Sequence, residues 1–182
     1  MNEFKIMDAI VECYPDGIML VSDRGVILKE NKLAQKLRAA IAPDHTAQPQ
    51  VPEQIWSICQ LLISDRPESS SLNIILEDRI NLSDTNAIRI RVRWFESVVS
   101  GACLMVTLED EMQSARNRVM SEKQRYGLTP REAEVWLLRQ VNYTYKRIAE
   151  TLHITVDTVK KHIKSINAKR QAFLWSQESY TA

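Results

Sequence analysis

The chain has 182 residues, of which 45% are hydrophobic and 26% charged, and its formal net charge is +1. This is ordinary globular composition, and the chain is long enough for one large domain or two small ones. No apolar run approaches the ~20 residues of a membrane span, and no basic segment followed by an apolar core opens the chain. We therefore expect a cytoplasmic protein without a membrane partner.

The first part of the chain predicts alternating short helices and strands. Gly17 to Asn31 is the strongest local pattern, because two apolar runs flank the turn residues Asp23-Arg24-Gly25. Helices are predicted at Ile6 to Cys13, Lys32 to Ile41 and Glu53 to Ile63, with loops at Ala42 to Pro52 and Arg66 to Ser71.

Three strands are predicted next, at Leu72 to Ile80, Ala87 to Glu96 and Ala102 to Leu108. The middle strand alternates, with Ile88, Ile90, Val92 and Trp94 on one face and Arg89, Arg91 and Arg93 on the other. A sheet with one packed and one hydrated face is antiparallel. We expect a solvated or interface face for the arginines, because neighbouring strands bring Glu77, Asp78 and Glu109. A nucleic-acid contact is the alternative.

Two strands, intervening helices and a three-strand antiparallel run make up the element order of a PAS domain. The hairpin D-R-G-V-I-L-K-E-N, Asp23 to Asn31, resembles the opening PAS hairpin, whose asparagine leads into the first helix. Domains of this family bind haem, flavin or small ligands, or serve only for dimerisation. The cysteine motif of flavin photoreceptors is absent, and His45 lies in a proline-rich loop. We therefore expect no cofactor.

The cysteines, Cys13, Cys59 and Cys103, are far apart and form neither a C-x-x-C motif nor a cluster with histidine. This spacing indicates neither a zinc site nor a disulfide framework. We expect three small buried thiols, and a redox-sensing thiol is the alternative.

Glu109 to Tyr126 is a charged helical stretch without glycine or proline. Met112, Ala115, Val119 and Tyr126 fall near heptad spacing, and Glu122 interrupts that seam. The stretch is either a single connecting helix or a paired signalling helix in a dimer.

Residues beyond the connecting helix predict three short helices with strong boundary signals. Thr129-Pro130-Arg131-Glu132 combines a threonine cap, a proline at the first helical position and a capping-box glutamate. Asn142 is a left-handed stop, and Thr144 caps the second helix. His153-Ile154 leaves a tight turn before Thr155 caps the third, from Val156 to Arg170. Such an arrangement is a helix-turn-helix. We expect an α+β domain at 1–110, a connecting helix at 111–126 and a small all-α helix-turn-helix domain at 127–182.

The third helix has two opposed faces. Its apolar stripe consists of Val156, Val159, Ile163 and Ile166. Its outer face carries Asp157, Lys161, Lys164 and Ala168, flanked by Lys160 on one side and by His162 and Lys169 on the other. Residues 121–182 contain 11 Lys+Arg and 6 Asp+Glu, a balance of +5, whereas residues 1–120 have a balance of −4. This asymmetry is typical of a chain in which one domain meets a polyanion.

Two blocks in register, L-T-P-R-E-A-E-V (Leu128 to Val135) and R-I-A-E-T-L-H-I-T-V-D-T-V-K-K-H (Arg147 to His162), resemble the LuxR-type DNA-binding domain of bacterial transcription regulators. The resemblance covers the last third of the chain. It implies that the helix after Thr155 is the recognition helix and that the preceding one approaches the DNA backbone. The candidate DNA-binding residues are Thr144, Lys146, Arg147, Thr155, Asp157, Thr158, Lys160, Lys161 and Lys164, with Ser165 a further candidate for base reading.

The chain departs from the family at three places. Asn142 replaces the usual glycine, and Arg147 replaces a glutamate, which removes one side of a capping box but adds positive charge. Only Gln171 to Ala182 remain where the family has a fourth helix, so this tail is expected to extend the recognition helix or to pack over the core.

These patterns predict a sequence-specific transcription regulator that binds double-stranded DNA as a homodimer, with contact to RNA polymerase a further expectation. No nucleophile–base pair, metal cluster or phosphate loop indicates an enzyme. One alternative is a sigma-factor-like promoter-recognition module, because L-T-P-R-E with a later T-V-K is similar to that class. Another is a protein-interaction adaptor with weak DNA affinity, for which the short tail is the reason.

Overall fold

The computed structural model describes residues 3–43, 50–64, 74–83, 86–97 and 101–178, and the chain divides into two compact units, Met1–Glu111 and Met112–Ala182. The elements of the first unit are α1 (Glu3–Glu12), β1 (Gly17–Val21), β2 (Ile27–Glu30), α2 (Lys32–Ile41), α3 (Glu53–Ser64), β3 (Ile75–Asn81), β4 (Ala87–Ser97) and β5 (Gly101–Asp110). Four helices follow, namely α4 (Glu111–Tyr126), α5 (Pro130–Gln140), α6 (Tyr145–Leu152) and α7 (Val156–Glu178). Most of the predicted loop around His45 and the loop Arg66 to Ser71 lie outside the described residues.

The strands of the first unit form one antiparallel sheet in the order β2-β1-β5-β4-β3. The predicted α+β class and antiparallel pairing are therefore confirmed. On one face of the sheet, α2 packs on β1 and β5, and α3 packs on β3 and β4. The predicted apolar face of β4 lies in this core, because Ile88, Ile90 and Val92 are fully buried there.

The opposite face of β4 carries the predicted arginine row among carboxylates. Arg91 Nη2 lies 3.3 Å from Glu109 and 3.5 Å from Asp16, and Arg89 lies 3.7 Å from Glu77 and 3.8 Å from Glu109. The pKa of Asp16 is raised above its ordinary value. Burial is the main cause and the charge of Glu109 adds to it, while Arg91 acts in the opposite direction. Arg89 and Arg91 thus pair within the sheet, in agreement with the predicted solvated or interface face, whereas Arg93 lies 4.0 Å from the Met105 sulfur.

Asn31 links the hairpin to the first long helix of the sheet unit. It is 1% exposed, its Oδ1 accepts from the backbone N–H of Ile18 (3.0 Å) and Ala34 (2.8 Å), and its Nδ2 donates to the carbonyls of Val11 (3.0 Å) and Asp16 (3.1 Å). One side chain therefore caps α2 and ties together β1 and the end of α1. This function explains an asparagine at the end of the predicted hairpin.

The three cysteines are free thiols. Cys59 and Cys103 are buried as predicted, and burial raises the pKa of Cys59 to about 12 and also raises that of Cys103. The prediction was wrong for Cys13, which is exposed because it follows the last turn of α1 and points outside the core.

Within its described residues, the second unit consists of four helices joined by short turns, and α4 is one of them. Val119 is 5% exposed within its core, and Trp136 of α5 donates a hydrogen bond from Nε1 to Glu122 of α4. The Tyr126 ring lies 5.3 Å from that of Phe173, in an edge-on arrangement. Val119 of the predicted heptad seam, and Glu122 that interrupts it, therefore both make contacts inside this unit. A paired signalling helix stays a prediction.

This packing predicts where the second unit can be cut from the chain. A fragment of residues 112–182 should fold cooperatively, whereas a fragment of residues 121–182 loses Val119 from its core. Burial of a valine is worth roughly 1.5–3 kcal/mol, so the shorter fragment should melt at a clearly lower temperature. Thermal denaturation followed by circular dichroism measures the difference. Equal melting temperatures would show that α4 contributes nothing to this core.

Candidate nucleic-acid interface

Short-range caps fix both ends of α5. The Thr129 side chain accepts from the N–H of Glu132 (3.3 Å), and the Glu132 carboxylate accepts from the N–H of Thr129 (2.8 Å), so the predicted capping box is present with Pro130 in the first turn. Asn142 follows the helix with φ 65°, as the predicted left-handed stop. These caps set the direction in which the chain enters α6.

A tight turn joins α6 to α7. The Thr144 side chain caps α6 by accepting from the N–H of Arg147 (3.3 Å), and His153 ends it with φ 53° and ψ 46°. Arg131 of α5 donates to the Leu152 carbonyl (2.6 Å), which satisfies a free carbonyl in the last turn of α6. Sequence reasoning did not find this contact, which joins residues 21 positions apart. The result is a short helix fixed at both ends directly ahead of α7.

The inner face of α7 is largely the predicted stripe. Val159 and Ile166 are fully buried and Ile163 is 9% exposed, in a core shared with Ile148. The prediction was wrong for Val156, which is 37% exposed. Val156 is the first residue of α7, at the end of the stripe.

The outer face of α7 presents lysines to solvent. Lys160, Lys161 and Lys164 are exposed, and Lys160 lies 3.2 Å from Asp157, its neighbour on the helix surface. Among the described residues, no hydrogen bond or ion pair engages the side chains of Lys161 and Lys164. Both ammonium groups are thus available to an anionic partner.

Threonines mark the start of α7. The Thr155 hydroxyl oxygen accepts from the N–H of Thr158 (3.1 Å), and the two threonine hydroxyls lie 2.8 Å apart. Thr155 therefore caps α7, and the Thr158 side chain is held against that cap.

The start of α6 carries two further candidate cations. Lys146 is exposed, whereas Arg147 is half-buried with its guanidinium carbon 4.6 Å above the Tyr143 ring. Stacking on the Tyr143 ring orients the Arg147 guanidinium, while Lys146 extends into solvent.

Ser165 does not lie on the outer face. Its hydroxyl donates to Glu132 Oε1 (2.7 Å), so it joins α7 to α5 and is not free to read bases. Ser165 was a mistaken candidate, because its position on the helical wheel lies between the apolar stripe and the lysines.

Glu132 is a buried carboxylate that holds α7 against α5. Lys169 Nζ donates to Glu132 Oε2 (2.7 Å) and also to the Gly127 carbonyl (3.0 Å). Burial would raise the pKa of Glu132, but hydrogen bonds from Lys169, Thr129 and Ser165 offset burial and hold that pKa at about 2. The sequence predicted only the capping-box part of this network. The available signal was the four-residue spacing of Ser165 and Lys169, which places both side chains on the same face of α7.

The recognition-helix candidate is longer than predicted. It continues without a break to Glu178, so the tail after Arg170 extends α7, which is one of the two predicted outcomes. Phe173 packs against Tyr126, while Leu174 and Trp175 are 56% and 66% exposed. No further helix follows α7 within residues 101–178.

Neither a membrane-spanning helix nor a cluster of metal ligands occurs in the described ranges. No helix there combines the length and the apolar character that a membrane crossing requires. The same ranges contain no group of three or more His, Cys, Asp or Glu side chains that could hold a metal ion.

Comparisons with known proteins find structural similarities. No protein-family model matches the chain, and no curated protein matches it by sequence. The phage VqmA–DPO complex is similar over 97% of this chain and 87% of that chain, with 16% identity and a TM-score of 0.42. The Vibrio cholerae VqmA–ligand–DNA complex is similar over 93% and 82%, with 13% identity and a TM-score of 0.45. A PAS domain from a two-component sensor histidine kinase is similar over 59% and 96%, with 12% identity and a TM-score of 0.39. At identities of 16% or less and TM-scores of 0.45 or less, these three similarities carry no argument about function.

Proposed function

We propose that the chain is a sequence-specific, LuxR-type transcription regulator in which α6 and α7 form a helix-turn-helix. The observation that carries the proposal is the pair Lys161 and Lys164, exposed and without partners among the described residues, on a helix whose opposite face is buried. A helix of this kind, held by its inner face, can place its outer face in the major groove. Lysine suits guanine there, because O6 and N7 are both acceptors and an ammonium group supplies only donors.

The remaining candidates divide by position. Lys146 and Arg147 begin α6, where the DNA backbone is the expected neighbour, so they are assigned to phosphates together with the Thr144 cap. Lys160 is assigned to the flank of the groove, where Asp157 orients it. Thr155 and Thr158 lie at the amino end of α7, where hydroxyls can donate to phosphate or to a base edge. The +5 balance of residues 121–182 supports this orientation toward a polyanion.

The first unit is assigned to sensing or dimerisation. We propose that the chain acts as a cytoplasmic homodimer that uses no cofactor, with 1–110 as the PAS-like module, 111–126 as a linking helix and 127–182 as the DNA-binding domain. Contact with RNA polymerase stays a prediction. The packed, five-stranded sheet with helices on one face is the feature that supports a module of this class.

Substitution of single lysines tests base reading against phosphate holding. Lys161→Ala or Lys164→Ala should cost about 1–3 kcal/mol on the cognate duplex and relax preference at particular base pairs. Lys146→Ala should weaken cognate and scrambled duplexes alike and reduce the slope of log affinity against log salt by about one unit. Fluorescence anisotropy with both duplexes at several salt concentrations makes the measurement.

The same titrations separate the rival functions. If the Lys161 and Lys164 variants weaken both duplexes equally, these lysines hold phosphates and specificity lies elsewhere on α7. A footprint on the operator without core RNA polymerase excludes the sigma-factor-like alternative. Absence of DNA binding even at low salt would overturn the proposal in favour of an adaptor.

Dimerisation through the first unit is tested by comparing the full chain with a fragment that lacks this unit. The full chain should bind a duplex with two half-sites at least ~10²-fold more tightly than the fragment of residues 112–182, because the second half-site is then bound intramolecularly. A duplex with one half-site is the control and should show a much smaller difference. Equal affinities on the two-half-site duplex would contradict dimerisation through the first unit.

A further inference from the structure

A cleft of about 500 Å³ runs between α4 and α5, apart from the proposed DNA-binding residues. Its floor is apolar and consists of Val119, Met120, Ala133 and Leu137. Val119 is buried and the two α5 side chains are half-buried, but Met120 is 63% exposed. Met120 thus gives this floor a flexible side chain that is open to solvent, as adaptable binding grooves use.

The rim of the cleft is positively charged. Arg116 is exposed and Lys123 half-exposed, and among the described residues neither makes an ion pair. The one carboxylate on the rim, Glu134, is already neutralised by Arg131, whose Nη1 lies 2.6 Å away. The cleft therefore presents an apolar floor between two cations without local counter-charges.

We propose that this cleft binds an acidic, amphipathic helix of a partner protein. Leucine-like side chains spaced one helical turn apart would cover Met120 and Leu137, and carboxylates on the flanks of the same helix would pair with Arg116 and Lys123. A DNA backbone fits the rim but leaves the apolar floor uncovered, because its outer surface is a row of phosphates. The occupant is therefore protein. The proposal does not depend on the proposed DNA-binding function, because none of the lining residues is a DNA-binding candidate.

Two synthetic helical peptides of about 15 residues test this inference against the full-length chain. They share leucines at one-turn spacing and differ only in flanking residues, glutamate in one and lysine in the other. Fluorescence anisotropy without DNA should show binding of the acidic peptide and not of the basic one. Met120→Asp should weaken the acidic peptide by about tenfold or more, because it places a carboxylate on the floor. The double change Arg116→Glu with Lys123→Glu should reverse the preference between the peptides.

Arg118→Glu is the matched control, because Arg118 is an exposed cation of α4 that does not line the cleft. It should leave the affinity for the acidic peptide unchanged, and all variants should keep the wild-type melting temperature. With the cognate duplex present, the peptide should bind to the protein–DNA complex as well as to the free protein.

Any one of four results would overturn the inference. Equal binding of the two peptides, or an equal loss in Arg118→Glu, would show attraction by charge alone. Loss of DNA affinity in the double variant, with peptide binding retained, would assign Arg116 and Lys123 to DNA. Absence of peptide binding together with conversion of a dimer to a monomer by Met120→Asp would make the cleft a surface between two copies of this chain. Because peptide binding is measured without DNA, its failure leaves the DNA-binding proposal to its own test.

Discussion

Replacing Ile166 with alanine should destabilise the second unit by about 2–5 kcal/mol. Ile166 is fully buried in the core shared by α5, α6 and α7, so truncation combines lost burial with a cavity that neighbours fill only in part. DNA binding should fail in this variant because the unit unfolds, not because a contact is lost. Urea denaturation followed by circular dichroism measures the free energy of unfolding.

Val156→Ala is the matched control for that experiment. The residue belongs to the same predicted stripe, but it is 37% exposed at the first position of α7, and exposed truncations usually stay within about 0.5 kcal/mol. A large loss in Val156→Ala together with a small loss in Ile166→Ala would mean that α7 is rotated about its axis relative to the described packing.

Glu132→Gln should also lower the stability of the second unit, by roughly 3 kcal/mol at neutral pH. The carboxylate is 7% exposed and accepts hydrogen bonds from Lys169, Ser165 and the Thr129 backbone. A pKa of about 2 in place of 4.5 corresponds to an energy of this size, because each pKa unit is worth about 1.4 kcal/mol. The amide keeps the shape of the side chain but gives up the charge that Lys169 requires.

The pH dependence of the unfolding free energy, measured for wild type and for Glu132→Gln, provides a second readout. Because the folded-state pKa of Glu132 lies below its ordinary value of 4.5, its contribution is complete above about pH 4.5 and is lost as the pH falls toward about 2. The gap in unfolding free energy between wild type and Glu132→Gln should therefore narrow across that range. Glu134→Gln, which alters an exposed carboxylate of the same helix, should show a gap of less than about 0.5 kcal/mol at every pH. A gap for Glu132→Gln that stays constant from pH 7 to 3 would contradict the ion pair as its source.

Local chemistry explains which parts of the fold could be predicted. The capping box at Thr129 and Glu132, the left-handed Asn142 and the tight turn at His153 depend on residues within four positions of one another. The alternation of β4 and the stripe of α7 depend on the fixed geometry of one strand or one helix. Such signals are complete within a short stretch of sequence. They were therefore enough to predict the element order and the exposure of Lys161 and Lys164 on α7.

Contacts between elements were not predictable in the same way. Lys169 and Ser165 reach Glu132 across 37 and 33 residues, and Trp136 reaches Glu122 in the neighbouring helix. A helical wheel gives the direction of a side chain but not the neighbour it meets, which depends on how two helices cross. The wheel also treats all positions along a helix alike, which is why Val156 was placed in the core.

The unbroken course of α7 has a mechanical consequence for the proposed regulator. At 1.5 Å per residue, its 23 residues span about 35 Å, and Lys161 and Trp175 lie about 21 Å apart along one stiff rod. No turn separates the end that carries the lysines from the end that carries Leu174 and Trp175. The helix therefore contains no hinge between its exposed end and Lys161, so any displacement of one end is shared by the other.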